Sequence, residues 1–221
     1  MPTILSTPPL PCIDAPARHV CFNGNVTYKS ITSDNIEILK AINWDLFSVS
    51  YPDAYYAATM RAELTDFCKL IYLDDIPVGQ ITCTFKSSAD EGEARLYVML
   101  MGVLPPYRSL GLGGQACQVV LQAAEIRNHR IKSLGVPQKR EESTLNAIAS
   151  SKVPGDTITQ CSNLPITSVF LHVHVLNTAA RRLYERYGFT QRERLKNFYR
   201  KRGPDDKNIK DAWLLELNLS A

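Results

Sequence analysis

Arg108, Gly111, Gly113 and Gly114 follow a long apolar run, and their types and spacing suit the binding of a phosphate. Leu96–Leu104 is almost unbroken in apolar residues and reads as a strand buried on both faces. Pro105 and Pro106 stop it, because proline gives up a backbone donor and restricts the residue before it. Gln115–Ala124 then reads as a strong helix former. Glycines at a strand-to-helix turn let backbone N–H groups approach an anion, and the helix N-terminus adds partial positive charge. A pyrophosphate fits such a cradle, with Arg108 as a further donor. Gly111–Ala116 also fits the Gly-x-Gly-x-x-Gly/Ala pattern of dinucleotide sites. That reading needs a second strand closing with an acid about 20 residues on. Here the chain turns polar instead, and Glu125 falls inside the helix.

Two other groupings could carry chemistry. His172 and His174 alternate on a strand and so share a face, as a metal pair would. No third ligand stands at a convincing spacing, so no metal is expected and His174 reads as structural. Arg194–Arg202 is basic with interleaved aromatics, a pattern that also suits nucleic acid. A strand with apolar residues inward and cations in solvent is the preferred reading, and direct nucleic-acid binding is not expected.

The positioning elements follow from the rest of the chain. Residues 1 to about 24 carry Pro2, Pro8, Pro9, Pro11 and Pro16 and read as an extended leader. Asn25–Ile31 alternates like a strand, and Thr32–Asn35 offers caps for a helix over Ile36–Leu46. After the loop Phe47–Asp53 a second helix is predicted to about Leu64. Strands are predicted over Cys68–Leu73 and Val78–Phe85, joined by a turn at Asp74 and Asp75. From Arg127 to about residue 166 the texture turns polar, with no aromatic residue between Arg108 and Val169. This is longer than an ordinary connection and is read as a surface insertion, at least partly disordered. Ser168–Val175 is the next strand. Asn177 and Gly188 mark both ends of a helix. Phe189–Arg200 and Ala212–Leu219 are predicted as the last strands, joined by the turn Gly203–Asp206.

Composition limits the partners. The chain has 221 residues, of which 45% are apolar, enough for one substantial core plus extensions, and a net charge of +3 that does not by itself suggest nucleic acid. Its six cysteines are scattered with no Cys-x-x-Cys pair, which points to reduced thiols in the cytoplasm or nucleus. No stretch approaches 18 apolar residues and no signal-peptide pattern opens the chain, so a soluble intracellular protein is expected.

Arg108–Gly113 and Asn177–Gly188 are similar to two motifs of the GNAT acetyltransferase superfamily, Arg/Gln-x-x-Gly-x-Gly/Ala and Asn-x-x-Ala-x-x-Leu-Tyr-x-x-x-Gly-Phe. The predicted order β-α-α-β-β-β-α-β-α-β-β is also that of a GNAT domain. The resemblance implies an α/β, mixed α+β fold: a central, mostly antiparallel mixed sheet flanked by helices over residues 25–219, interrupted at about 127–166. Within the superfamily, Phe47–Tyr51, Arg95–Met99, Leu104–Gly113, Leu171–Val173 and Lys196–Arg200 resemble the family of catalytic subunits of N-terminal acetyltransferase E. That resemblance covers about residues 25–127 and 167–219.

It implies acetyl-CoA as co-substrate, no metal, and protein N-terminal peptides as acceptors, notably those starting with methionine. Membership of a larger ribosome-associated acetyltransferase complex is also implied. Carried over by position, acetyl-CoA would meet Met101, Val103, Arg108, Ser109, Leu110, Gly111, Leu112, Gly113, Gly114, Asn177 and Tyr184. The peptide would meet Phe47, Val49, Tyr51, Met99, Phe198 and Tyr199. Tyr97 and His172 match a tyrosine and a histidine that hold a water relaying the proton of the substrate amine. An α-amine has an unperturbed pKa of roughly 8, so near neutral pH it needs a base. Two positions depart from the family pattern: Ser48 stands where proline is common, and Phe198 where tyrosine is common. Rival readings are a GNAT for lysine side chains or small amines, and a non-catalytic subunit of such a complex.

Overall fold

The computed structural model describes residues 24–88, 92–133, 157–199 and 209–219. The leader up to residue 23, the middle of the expected insertion (134–156) and the turn Gly203–Asp206 lie outside the described residues. The elements are β1 (Val26–Ser30), α1 (Ile36–Phe47), α2 (Asp53–Thr59), β2 (Lys69–Leu73), β3 (Ile76–Ser87), β4 (Ala94–Val103), α3 (Leu112–Ser133), α4 (Thr157–Cys161), β5 (Ile166–His174), α5 (Thr178–Arg186), β6 (Thr190–Leu195) and β7 (Ala212–Asn218). One seven-stranded sheet runs in the order β1-β2-β3-β4-β5-β7-β6. All neighbours are antiparallel except β4 and β5. This is the mixed, mostly antiparallel sheet with flanking helices that the sequence predicts.

The apolar run of β4 is buried as a central strand should be. Leu96 and Val98 share a hydrophobic core with Ile81, Cys83 and Phe85 of β3, Val169 and Leu171 of β5, and Ala116, Cys117 and Val120 of α3. Cys68, Cys83, Cys117 and Cys161 are buried free thiols. Burial pushes Cys68 and Cys117 up to about 12, so they pack as small hydrophobes rather than act as nucleophiles. On the other side of β3, under α1 and α2, polar groups lie inside: Asn43 of α1 and Gln80 and Thr82 of β3 are fully buried. The Tyr55 hydroxyl lies 2.9 Å from Thr82 Oγ1 and ties α2 to the sheet.

Three sequence expectations change. The helix expected to break into an insertion near Arg127 continues to Ser133. Asn128 is buried there, donating from Nδ2 to Ile166 O (2.7 Å) and accepting from Ile166 N at Oδ1 (2.8 Å). Arg127 donates to the carbonyls of Cys161, Ser162 and Leu164 and covers the Phe85 ring at 4.5 Å. Arg127 and Asn128, read from sequence as the start of the insertion, thus stitch α3 to the segment entering β5. The last predicted strand pair also differs. β6 ends at Leu195 rather than Arg200, because Asn197 takes a positive φ of 53° and donates its N–H to Asp211 Oδ1 at 3.0 Å. Phe198 and Tyr199 are therefore carried on a loop. The second helix stops at Thr59, and a separate 3-10 turn covers Ala62–Leu64.

Candidate active site

β4 and β5 pair in parallel only from Ala94 to Tyr97 on one side and Ile166 to Phe170 on the other. Beyond that row β4 stays on β3 as far as Val103, and β5 stays on β7 as far as His174. The two strands part company, and their facing backbone edges are left without each other. Tyr97 stands on the last paired row and His172 just past it.

The side chains meet there. Tyr97 Oη and His172 Nδ1 are 3.1 Å apart, within direct hydrogen-bond distance. Phe198 lies flat over the imidazole, with centroids 4.2 Å apart and planes 24° apart. Tyr199 touches Phe198 edge-on at 5.1 Å. Burial lowers the His172 pKa and raises that of Tyr97. The imidazole is accordingly neutral and basic near neutral pH, while the phenol keeps its proton. Burial, with help from Tyr97, pushes Tyr199 up to about 12.

His174 shares the strand but not the chemistry. Its Nδ1 accepts from Leu176 N at 3.2 Å, so Nε2 carries the proton and donates to Ile209 O at 2.8 Å. Both nitrogens are committed to backbone, leaving no lone pair for a metal.

A bulge in β4 sorts the remaining residues. Thr82 pairs with Leu100 and Cys83 with Val98, so Met99 is the extra residue. Without it, strict alternation would place Gly102 on the face of Val98. With it, Gly102 shares the Tyr97 face and lies against α1: an added Cβ would be 2.6 Å from Leu46 Cδ1 and 3.4 Å from Phe47 Cζ. Met101 turns to the other side, where the buried Tyr184 hydroxyl donates weakly to its sulfur at 3.6 Å. Sequence alternation alone cannot reveal such a switch.

The expected cradle follows Val103. Ser109 and Gly111 both have positive φ, 65° and 82°, on either side of Leu110. Such alternation turns successive N–H groups to one side, as in anion-binding nests. α3 begins at Leu112, and the first N–H groups of a helix have no partner within it. The donor set therefore fits a pyrophosphate. Gly113 and Gly114 also meet a packing need. A Cβ at Gly114 would be 2.6 Å from Tyr187 Oη, and one at Gly113 would be 3.3 Å from Leu183 Cδ1. They let α5 approach α3. Arg108 is exposed, and its Nε donates to Val103 O at 2.9 Å, so it closes the loop as well as offering charge. Asn177 caps α5, accepting from Ala180 N at 3.0 Å.

On the peptide side, Phe47 ends α1 and Val49 is exposed. Tyr51 packs against Tyr55 at 4.9 Å. Ser48 has φ 50° and donates its N–H to Trp44 O at 2.8 Å. Proline, fixed near φ −65° and lacking that donor, cannot occupy this conformation. The basic run on β6 has ordinary partners: Arg194 reaches Asp211 at 2.8 Å and lies over Trp213. Arg200–Arg202 lie outside the described residues. Phe170, whose ring stacks on Tyr97, was not singled out by sequence, because a lone Phe in an apolar strand carries no signal of a site.

Comparison with known proteins agrees with this fold. Residues 36–144 match the model of the Acetyltransferase (GNAT) family. The chain is 28% identical over 186 residues to N-alpha-acetyltransferase 50 of Danio rerio, spanning 84% of this chain and 87% of that protein. It is 27% identical to the probable N-acetyltransferase san of Drosophila melanogaster, spanning 84% of this chain and 79% of that one. Among solved structures, Arabidopsis thaliana Naa50 in complex with the bisubstrate analogue CoA-Ac-MVNAL superimposes with a TM-score of 0.61 at 26% identity, covering 88% of this chain and 99% of that one. With the split parallel ladder, the strand-to-helix anion nest and these matches together, the chain carries a GNAT acetyltransferase domain.

Proposed function

We propose that the chain is an acetyl-CoA-dependent N-alpha-acetyltransferase for protein N-termini, with methionine preferred at the first position. The observation that carries this is the Tyr97–His172 pair, hydrogen-bonded at the point where β4 and β5 diverge and roofed by Phe198. The relatives named for N-alpha-acetylation support the acceptor class.

Acetyl-CoA, when bound, supplies an acetyl group activated as a thioester. The chain's own residues do the rest. Backbone N–H groups from Gly111 to Gly114 bind the pyrophosphate and hold it at the start of α3. Phe198 and Tyr199, with Phe47, Val49 and Tyr51 on the α1 side, offer the apolar and aromatic surface that a methionine thioether favours. The incoming ammonium must shed a proton before its nitrogen can attack. His172 accepts that proton, directly or through a water held with Tyr97, and its lowered pKa keeps it free to do so. His172 Nδ1–H donates to Tyr97 Oη, which fixes the ring and leaves the Nε2 lone pair to take the proton.

A lysine side chain, with an unperturbed pKa of roughly 10.4, would be harder to deprotonate at the same base. The test compares a Met-Leu peptide with its N-blocked, lysine-containing version. Turnover of only the blocked peptide would overturn the reading, and calorimetry without acetyl-CoA binding would turn it into a non-catalytic subunit. The same reading extends to a place in the cytoplasm, also the nucleus, and in a larger ribosome-associated acetyltransferase complex. The buried free thiols support a reducing compartment. Failure of the tagged full-length chain to sediment with ribosomes would remove the complex from the reading.

A further inference from the structure

Tyr97 and Phe170 face each other on the last row of the parallel ladder, and their rings stack at 4.9 Å with planes 25° apart. Arg95 is the next residue on the same face of β4, and its guanidinium carbon lies 4.2 Å from the Phe170 centroid. That guanidinium is itself held. Its Nε donates to Ser168 Oγ at 3.1 Å and its Nη2 to Glu216 Oε1 at 2.7 Å. Glu216 Oε2 takes Arg192 Nε at 3.3 Å. Burial alone would raise the Glu216 carboxyl, but the Ser168 hydroxyl and the two guanidiniums hold it below its ordinary value. The anchor is therefore ionised throughout the neutral range.

The result is a column across the sheet surface: carboxylate, guanidinium, Phe170 ring, phenol, imidazole. Its position matters because the backbone ladder ends on this row. Past it, no strand pairing fixes Tyr97 relative to His172. The ring torsion of a tyrosine is broad in itself, so its orientation depends on what packs against it. We propose that Arg95 and Phe170 are positioning residues, the Arg95–Phe170 stack holding the Tyr97 ring so that its hydroxyl stays on His172 Nδ1. The inference rests on reading Tyr97 and His172 as the proton-handling pair.

On the strands beside β5, the charged or titratable groups of this face are Arg95 and Tyr97 on β4 and Glu216 on β7. Arg192 reaches in from β6, and Tyr199 follows that strand. Removing the Phe170 ring hydrates the imidazole, and removing the Arg95 charge takes a cation from its neighbourhood. Both changes move the His172 pKa up, toward its ordinary value.

The experiment uses the full chain with acetyl-CoA and a Met-Leu peptide, and compares Phe170→Leu, Phe170→Tyr and Arg95→Met, each alone and with Tyr97→Phe. Phe170→Leu and Arg95→Met should each lower kcat on the order of ten-fold, the scale of one aromatic or cation–π contact. KM for acetyl-CoA should hold, and the acid limb of the kcat–pH profile should move upward. Phe170→Tyr, which keeps the ring, should restore wild-type kcat. In the Tyr97→Phe background both changes should add little, since the hydroxyl they place is gone. Unchanged kcat, a fixed acid limb, or full additivity with Tyr97→Phe would overturn the proposal. If Phe170→Leu does not fold, Arg95→Met, at a partly exposed position, decides alone. Wild-type turnover by Tyr97→Phe itself would instead bring down the reading of the pair, and this inference with it.

Discussion

Deprotonating an α-amine near neutral pH sets what Tyr97 and His172 have to do. A base must be neutral when the substrate is still largely protonated, and burial of the imidazole provides that. Protonated imidazole accepts nothing, so kcat should fall as the pH drops through the His172 pKa. Because that pKa is lowered, the acid midpoint should lie below about 6.5. A midpoint above it, measured in the saturated complex, would contradict the assignment. Tyr97→Phe and His172→Ala should each reduce kcat on the order of 10²-fold, with acetyl-CoA affinity nearly unchanged. The double variant should lose far less than the product of the two, as expected of groups acting as a unit. Ser48 is a second residue-scale case. Ser48→Pro would restore the residue common in the resembling family, yet here it meets φ 50° and removes the donor to Trp44 O. It should destabilise the protein by about 3 kcal/mol and raise the peptide KM. An unchanged melting temperature would show that the loop is free to take another conformation.

At the scale of elements, the glycines of the strand-to-helix turn separate into two jobs. Gly111 supplies a positive φ of 82°, and an added Cβ there meets nothing nearer than Gln115 Nε2 at 3.8 Å. Gly111→Ala should therefore cost roughly 1–2 kcal/mol of backbone strain and mainly weaken acetyl-CoA binding in calorimetry. Gly114 supplies room, since a methyl group there would lie only 2.6 Å from Tyr187 Oη. Gly114→Ala should push α5 off α3 and lower stability by about 1–3 kcal/mol, seen as a fall in Tm without ligand. If both variants behaved alike, the division between nest and packing would be wrong.

At the scale of the whole molecule, the sheet is held in two halves that meet on one short parallel row. The second half begins at Ile166, 1% exposed, whose N–H and C=O are both taken by Asn128 of α3. Asn128→Ala would strand two buried backbone groups and should destabilise by about 1–3 kcal/mol. The check is urea unfolding with an unchanged slope. A neutral result would mean that the chain entering β5 is held by something other than this amide. The same joint opens the site, since strands that pair further would close the gap beside His172.

Local chemistry determined what could be read in order along the chain. The apolar run of β4, its end at Pro105, the Asn177 cap of α5, and the glycine turn before α3 are all set by residues within a few positions of one another. The element order and the Arg108–Gly114 turn were legible for that reason, whereas Tyr97 and His172 were singled out only by the resemblance to a known family. What depended on distant partners was not. The bulge at Met99 is a mismatch between two strands, so neither strand's own alternation reports it. Asn128 and Arg127 looked like the start of a polar insertion because their partners, Ile166 and the carbonyls after α4, lie far along the chain. Phe170 became part of the site only when β5 was laid beside β4, since an aromatic ring has no function until something stacks on it. Sequence determined the residues able to do the chemistry; tertiary structure decided their distances, because strand register and side-chain packing are properties of pairs.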